Sequence, residues 1–357
     1  MKVFGGRPLR RDAVIEDDIG ALKLPIGERL PALWITVALV LAAVIFSITT
    51  DGRFAQSSNL SNIALDASQT LILAVPMTLI IATAGIDLSV GAMVLLTSVL
   101  AAKTIGHFAG TAEQIAQLQF PHAGLGIALG VVVALAAGAL AGAINGVLIA
   151  YARLPAFVVT LGTLGIYSGL GLVVANGTNQ VSIPLSLQND FGNADIFGVL
   201  PVPAALALGV ALLGWIALRF TKFGIYTLAI GSNPEGARRA GINVRRHLLI
   251  LYTLAGVAAG LSAIVDLARF AATSVEAHNT DNLDAISAVV LGGTSLFGGV
   301  GNVGGTIAGS LMPSSLTNGF ILLHVRPFWQ PVVIGTVLIA AIGYDTYRRS
   351  RDRSGGY

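Results

Sequence analysis

The 357 residues are 54% hydrophobic and 11% charged, with a mean hydropathy of +0.79; a soluble domain carries roughly 25% charged residues, so the chain is an integral membrane protein. The formal net charge of +3 lies in basic clusters beside apolar segments, and with no aromatic-interleaved basic platform it calls for no nucleic-acid partner. The lack of cysteine excludes disulfides, thiolate chemistry and cysteine-ligated metals.

Residues 1–30 contain Glu16, Asp17 and Asp18 and lack an apolar core followed by a small-residue cleavage site, so they read as a cytoplasmic lead-in, not a cleaved signal. A transmembrane helix needs roughly 20 mainly apolar residues. Candidates follow at about 32–50, 61–84, 88–106, 124–150, 155–175, 198–218, 248–268, 284–297, 303–323 and 328–345. These ten, of which 284–297 is short, define a membrane domain over 31–346, followed by a cytoplasmic tail at 347–357. With the N-terminus inside, the cytoplasmic stretches hold Lys2, Arg7, Arg10, Arg11, Arg153, Arg219, Lys222, Arg238, Arg239, Arg245, Arg246, Arg348 and Arg349, among others. Outside fall Arg53, Lys103, Arg269 and Arg326. The positive-inside rule therefore puts both termini and the 219–247 loop in the cytoplasm.

Two glycine-punctuated breaks interrupt apolar runs, one over Ala84–Gly91 and one over Gly292–Gly305. Breaks in matching halves are a sign of an inverted-repeat transporter, and an internal repeat is expected that relates spans two to five to spans seven to ten. Gly138, Gly142 and Gly146, Gly165 and Gly169, Gly256 and Gly260, and Gly301, Gly305 and Gly309 have the spacing that lets helices approach closely. Bundle packing is the first explanation for them, and a pore lined by small residues is the other.

The loop at Ala229–Val244 is a polar, basic island between apolar segments. Asn233 can cap a helix, Pro234 suits its first position, and Gly241 can end it in the left-handed conformation. A helix of about two turns follows. It is too short to hold itself together in water, so it must be ordered by the membrane domain or by a docked partner.

Enzymatic motifs are lacking. Gly299-Val-Gly301-Asn-Val-Gly304 matches the dinucleotide fingerprint in letters, but it lies between apolar spans, without the strand, amphipathic helix and acidic residue the motif needs. None of Lys2, Lys23, Lys103 and Lys222 follows a glycine, so there is no P-loop. His107, His122, His247, His278 and His324 are scattered, which argues against a metal site. No nucleophile elbow occurs.

Intramembrane carboxylates are functional candidates by default, because burying their charge is costly. Asp66, Asp87, Asp266 and Asp284 lie in or at the ends of predicted spans. Capping is the structural alternative for Asp87, before a helix starting near Leu88, and for Asp284. Asp66 and Asp266 fall within about two turns of the outer interface. Gln69, Thr70, Ser89, Asn145, Thr160 and Ser168 add uncharged polar groups that can hydrogen-bond a hydroxylated solute or neighbouring helices. The translocation-pathway candidates are Gln69, Thr70, Asp87, Ser89, Asn145, Thr160 and Asp284.

Five segments in order, Gly85–Gly91, Asn145–Ile149, Leu154–Thr163, Ala229–Glu235 and Leu283–Gly293, resemble the permeases of ribose-, xylose- and arabinose-type ABC importers over roughly residues 33–346. The chain departs from the pattern at Asn282, where Glu is expected, and at Asp266, where an apolar residue is usual. The resemblance implies an all-α, type II importer-like fold of about ten spans and a second permease copy, either identical or a sister chain. It also implies one or more ABC ATPase subunits inside and a periplasmic or lipid-anchored sugar-binding protein outside. ATP and Mg2+ would be held by the ATPase and no cofactor by this chain. Ser232, Asn233, Pro234, Glu235, Arg238, Arg239 and Gly241 would form the coupling helix that docks on the ATPase. The reading is a sugar or polyol importer permease in a bacterial inner membrane; the alternatives are a branched-chain amino-acid importer permease and an ion-coupled secondary transporter.

Overall fold

Long apolar runs leave the backbone one way to satisfy its polar groups within a single segment in lipid, which is the α-helix. In the computed structural model, which describes residues 30–326 apart from 182 and scattered positions up to 343, the chain is a helical bundle. The long helices are α1 (Leu30–Thr49), α2 (Ser57–Ala82), α3 (Val90–Ala109), α5 (Ala123–Ala150), α6 (Ala156–Ala175), α8 (Val202–Phe220), α11 (Val244–Phe270) and α13 (Val303–Leu322). Between them lie the short helices α4 (Ala112–Ala116), α7 (Leu185–Leu187), α9 (Lys222–Ser232), α10 (Pro234–Arg239) and α12 (Asp281–Leu291). A two-residue hairpin pairs β1 (Asp195–Ile196) with β2 (Leu200–Pro201). Six of the long helices, α2, α3, α5, α6, α8 and α11, are long and apolar enough to cross a membrane.

The first nine predicted spans each meet a helix, with two corrections. The sixth begins at Val202 and not near 198, because residues 195–201 form the hairpin. The eighth is not a span of its own: α12 has 11 residues, about 16 Å at the helical rise, against a core of roughly 30 Å. The tenth predicted span, the segment before residue 30 and the 347–357 tail lie outside the described residues.

Helices α2, α3 and α11 form the interior, where α2 buries a continuous stretch from Leu71 to Ala82. Val40, Leu41, Val132, Val158, Val173 and Leu213 point outward, the expected apolar exterior of a membrane protein. α2 packs on α12 and α13, and α11 packs on α3 and α5. This exchange is the one that two related units, spans two to five and seven to ten, would give. The two breaks, however, are not equivalent in that relation, since one joins spans two and three and the other eight and nine.

The spaced glycines are mostly packing devices. On α5 and α11, a Cβ at Gly138 or Gly142 would collide with the carbonyl of Gly256 or Tyr252, and one at Gly256 with that of Gly138. Gly305 and Gly309 press in the same way on the carbonyls of Gly292 and Ala288, closing α13 on α12. Gly165 and Gly169 face open space.

Candidate functional site: a polar cavity and a break junction

The pathway candidates separate into two groups with one outlier. Gln69 and Thr70 on α2 and Asp284 on α12 come together, with Asp66, Leu73, Asp281, Pro313, Ser314 and Thr317, around a cavity of ≈ 170 Å³. Asp284 lies in the first turn of α12 and caps nothing; the N-cap position is Thr280, whose side chain makes no capping bond. Helices α2, α12 and α13 thus supply carboxylates, an amide and hydroxyls to one largely polar space.

At the cavity and beside it, charged groups are paired. Asp66 forms an ion pair with Arg269 at 2.5 Å. Asp266 accepts a hydrogen bond from Gln69 Nε2 at 3.1 Å and faces His278 Nε2 at 3.5 Å, an ion-pair distance without hydrogen-bond geometry. The other nitrogen of His278, Nδ1, lies 2.8 Å from Asp281 Oδ2. His278 sits in the connector between α11 and α12. Burial alone would lower its pKa, but the Asp266 and Asp281 carboxylates outweigh burial and raise it to about 10, so the ring is cationic at neutral pH. Asp266, a departure from the expected pattern, therefore has dedicated partners here.

The second group lies toward the other end of the bundle, where α3 begins. Asp87 Oδ1 accepts from the Ser89 amide at 2.9 Å and the Ser89 hydroxyl at 2.6 Å, and Asn145 Nδ2 donates to Ser89 Oγ at 2.8 Å. All three residues are fully buried. Contrary to the capping expected of it, Asp87 is not the N-cap; that position is Ser89, and Asp87 forms a turn across it. Its Oδ2 has no partner among the described residues. Tyr252 OH fixes the same loop by donating to the Ile86 carbonyl at 3.1 Å. This network does not line the cavity. Thr160 joins neither group; it donates to its own helix at Ala156 O.

The island has the local form that its residues predict, over a shorter length. α10 is a six-residue helix, with Asn233 Oδ1 accepting from the Gly236 amide at 2.8 Å, Pro234 in the first turn and Gly241 at φ +85. Ser232 belongs to the end of α9, where its hydroxyl donates to Leu228 O. Glu235 pairs with Arg238 at 3.2 Å and Arg239 at 3.4 Å, all three well exposed. Only Ala237 in α10 is buried. His247 holds α9 to α11 by a 2.8 Å contact of its Nε2 with Thr227 Oγ1.

Sequence reasoning missed the partners of Asp266, and it missed Asn302. Asn302 Nδ2 donates to Gly292 O at 3.1 Å, its Oδ1 accepts from the Gly305 amide at 2.9 Å, and its own amide donates to Thr294 Oγ1 at 3.0 Å. One side chain thus closes the second break and caps α13. The signal was present, since Asn followed by an apolar run at a helix start is a cap pattern.

A helical bundle with an interior polar cavity, broken helices and an exposed short helix between two long spans is a multi-pass membrane permease. The chain belongs to the family described as branched-chain amino acid transport system / permease component, which matches residues 59–342. It is 36% identical to the ribose import permease of Escherichia coli strain K12 over 320 residues, covering 87% of this chain and 92% of that one. It is 34% identical to the fructose import permease of Rhizobium meliloti, covering 89% and 86%. Identity to the xylose transport system permease of Haemophilus influenzae is 30%, covering 88% and 96%. No solved structure matches the chain. Like these relatives, the protein is a transport component and not an enzyme.

Proposed function

We propose that this chain is the membrane-spanning subunit of an ATP-driven importer of a monosaccharide, of the ribose, xylose or arabinose kind, or of a polyol, working by alternating access. ATP and Mg2+ belong to separate ATPase subunits that dock on α10, an external binding protein delivers the solute, and a second permease copy completes the pathway. Both termini and the 219–247 loop face the cytoplasm of a bacterial inner membrane, as the distribution of arginine and lysine favours.

The observation that carries this reading is the position of α10: a capped, exposed helix with three charged side chains, continuous with α9, whose end lies against both breaks. A carrier driven by an ion gradient has no need of such a docking helix, which speaks against the ion-coupled alternative. The names of the relatives, import permeases for ribose and fructose and a xylose permease, favour a sugar over a branched-chain amino acid. The cavity suits either hydroxylated solute, because carboxylates and amides accept hydrogen bonds from hydroxyls in several directions at once.

The test is co-purification of the chain with its candidate ATPase. Retention that is lost in the Glu235→Ala, Arg238→Ala double variant supports docking on α10; equal retention of wild type and variant rejects it.

A further inference from the structure

Three backbone segments meet at glycines, with the Ala84 Cβ and the Ser232 hydroxyl the side-chain atoms nearest the contact. The α2 helix ends at Ala82, and the chain passes through Ala84 at φ +61. In the second break, Gly298 and Gly299 take φ +80 and +77, and the Gly299 amide donates to the Ala82 carbonyl at 2.9 Å. The third segment is the end of α9: a Cβ at Gly231 would collide with Ala82 O and lie 2.5 Å from the Gly299 nitrogen. A Cβ at Gly298 would lie 2.8 Å from Gly231 O and 2.9 Å from the Ala84 Cβ. Ser232, the last residue of α9, lies against Gly299, and Asn233 then opens α10.

We infer that Gly231, Gly298 and Gly299 are positioning residues that join the docking helix to both breaks, so that the end of α9 and the two breaks move as one body. The inference rests on the importer reading above and deepens it. Side chains in contact change rotamer and absorb displacement, whereas backbone atoms in contact across glycine have no such slack. A push on α10 therefore reaches the α2–α3 break, which carries the Asp87–Ser89–Asn145 network, and the α12–α13 break, whose helix α12 carries Asp281 and Asp284 into the cavity. Both breaks are driven from one point.

The test uses the assembled complex in proteoliposomes, scoring ATP hydrolysis and solute uptake together. Uptake by wild type that depends on the ATPase and ATP scores the importer reading separately from the junction. Gly231→Ala is expected to retain the ATPase and hydrolyse ATP while uptake per ATP falls by about tenfold, within the range seen for substitutions along a coupling network. Gly209→Ala on α8, where nothing lies within 4 Å of the added methyl, is the control and stays near wild type. A wild-type ratio in Gly231→Ala overturns the inference.

If that variant fails to assemble, a cross-link decides. The natural chain has no cysteine, and a Cβ at Gly299 lies 3.6 Å from the Ser232 Cβ, within the disulfide range. In a Ser232→Cys, Gly299→Cys variant, oxidised and reduced forms should give the same uptake per ATP, because a body that moves as one tolerates an internal bond. A lower ratio on oxidation means the contact must open during transport, and the inference fails.

Discussion

Gln69 on α2 and Asp266 on α11 are hydrogen-bonded at 3.1 Å inside the bundle, which ties the two interior helices together through a carboxylate that also faces His278. Removing one member of a buried charged pair leaves the other uncompensated and costs about 3–5 kcal/mol, whereas replacing both with apolar groups can be neutral. Asp266→Leu leaves His278 with Asp281 alone and takes the acceptor from Gln69, so it should lower the thermal midpoint in detergent, and Asp266→Leu, Asp281→Leu, which leaves the cation uncompensated, should lower it further. Equal midpoints for wild type and Asp266→Leu would show that the cluster contributes nothing to the fold.

The same cluster gives a pH dependence. His278 has a folded pKa raised to about 10 from an ordinary value of 6.5, through Asp266 and Asp281. A raised histidine pKa stabilises fully below the unfolded value and is lost as pH climbs through the folded one. The stability difference between wild type and His278→Gln should be largest below pH 6.5, shrink steadily above it and vanish near pH 10. A difference that grows with pH contradicts the pairing.

Asp284 lines the cavity and makes no hydrogen bond or ion pair with the described residues. Asp284→Asn keeps the shape and removes a half-buried ionisable carboxyl, so the fold should be unharmed or firmer. If this wall contacts solute, uptake weakens by about 1–3 kcal/mol, the cost of losing one charge-assisted hydrogen bond, and does so mainly through KM. Unchanged uptake kinetics removes Asp284 from the pathway.

Asn302 holds both ends of the second break. Asn302→Ala loses the α13 cap, worth about 1 kcal/mol, and frees the Gly292 carbonyl. Hydrogen exchange should rise at Gly292–Gly305 and remain slow in the middle of α2; uniform protection would mean that other contacts hold the break.

Among the described residues Glu235, Arg238 and Arg239 pair only with one another, and they are exposed. Such pairs contribute little, about 0–1 kcal/mol. The Glu235→Ala, Arg238→Ala variant should melt like wild type while losing the ATPase, which separates docking from folding.

The helices were legible because lipid imposes one rule on the whole chain: apolar runs such as 124–150 and 248–268 stand within a few residues of α5 and α11. The α10 cap was equally legible, because Asn233, Pro234 and Gly241 each have a local reason to be there. The eighth span misled because 284–297 is mainly apolar, although the break at Gly292 falls inside it; the packing of Gly305 and Gly309 closes α13 on α12, which stops at Leu291. The cavity was half legible. Gln69, Thr70 and Asp284 are polar groups at membrane depth, but their meeting, and the exclusion of Asp87, Ser89, Asn145 and Thr160 from it, depends on helix pairing that no local pattern encodes. Asp266 stood out as a departure from the family pattern and Gln69 as a polar group at membrane depth, but nothing local pairs them, and His278, in a connector, left no mark.

In the importer proposed above, transport by this chain is powered by a docked ATPase. The most direct measurement is uptake of radiolabelled ribose, xylose and arabinose into proteoliposomes holding the chain, its ATPase and its binding protein, with ATP supplied or withheld and ionophores collapsing all ion gradients. Uptake should require ATP, survive the ionophores and disappear in the Glu235→Ala, Arg238→Ala variant. Uptake that persists without ATP and collapses with the ion gradient would contradict the importer reading.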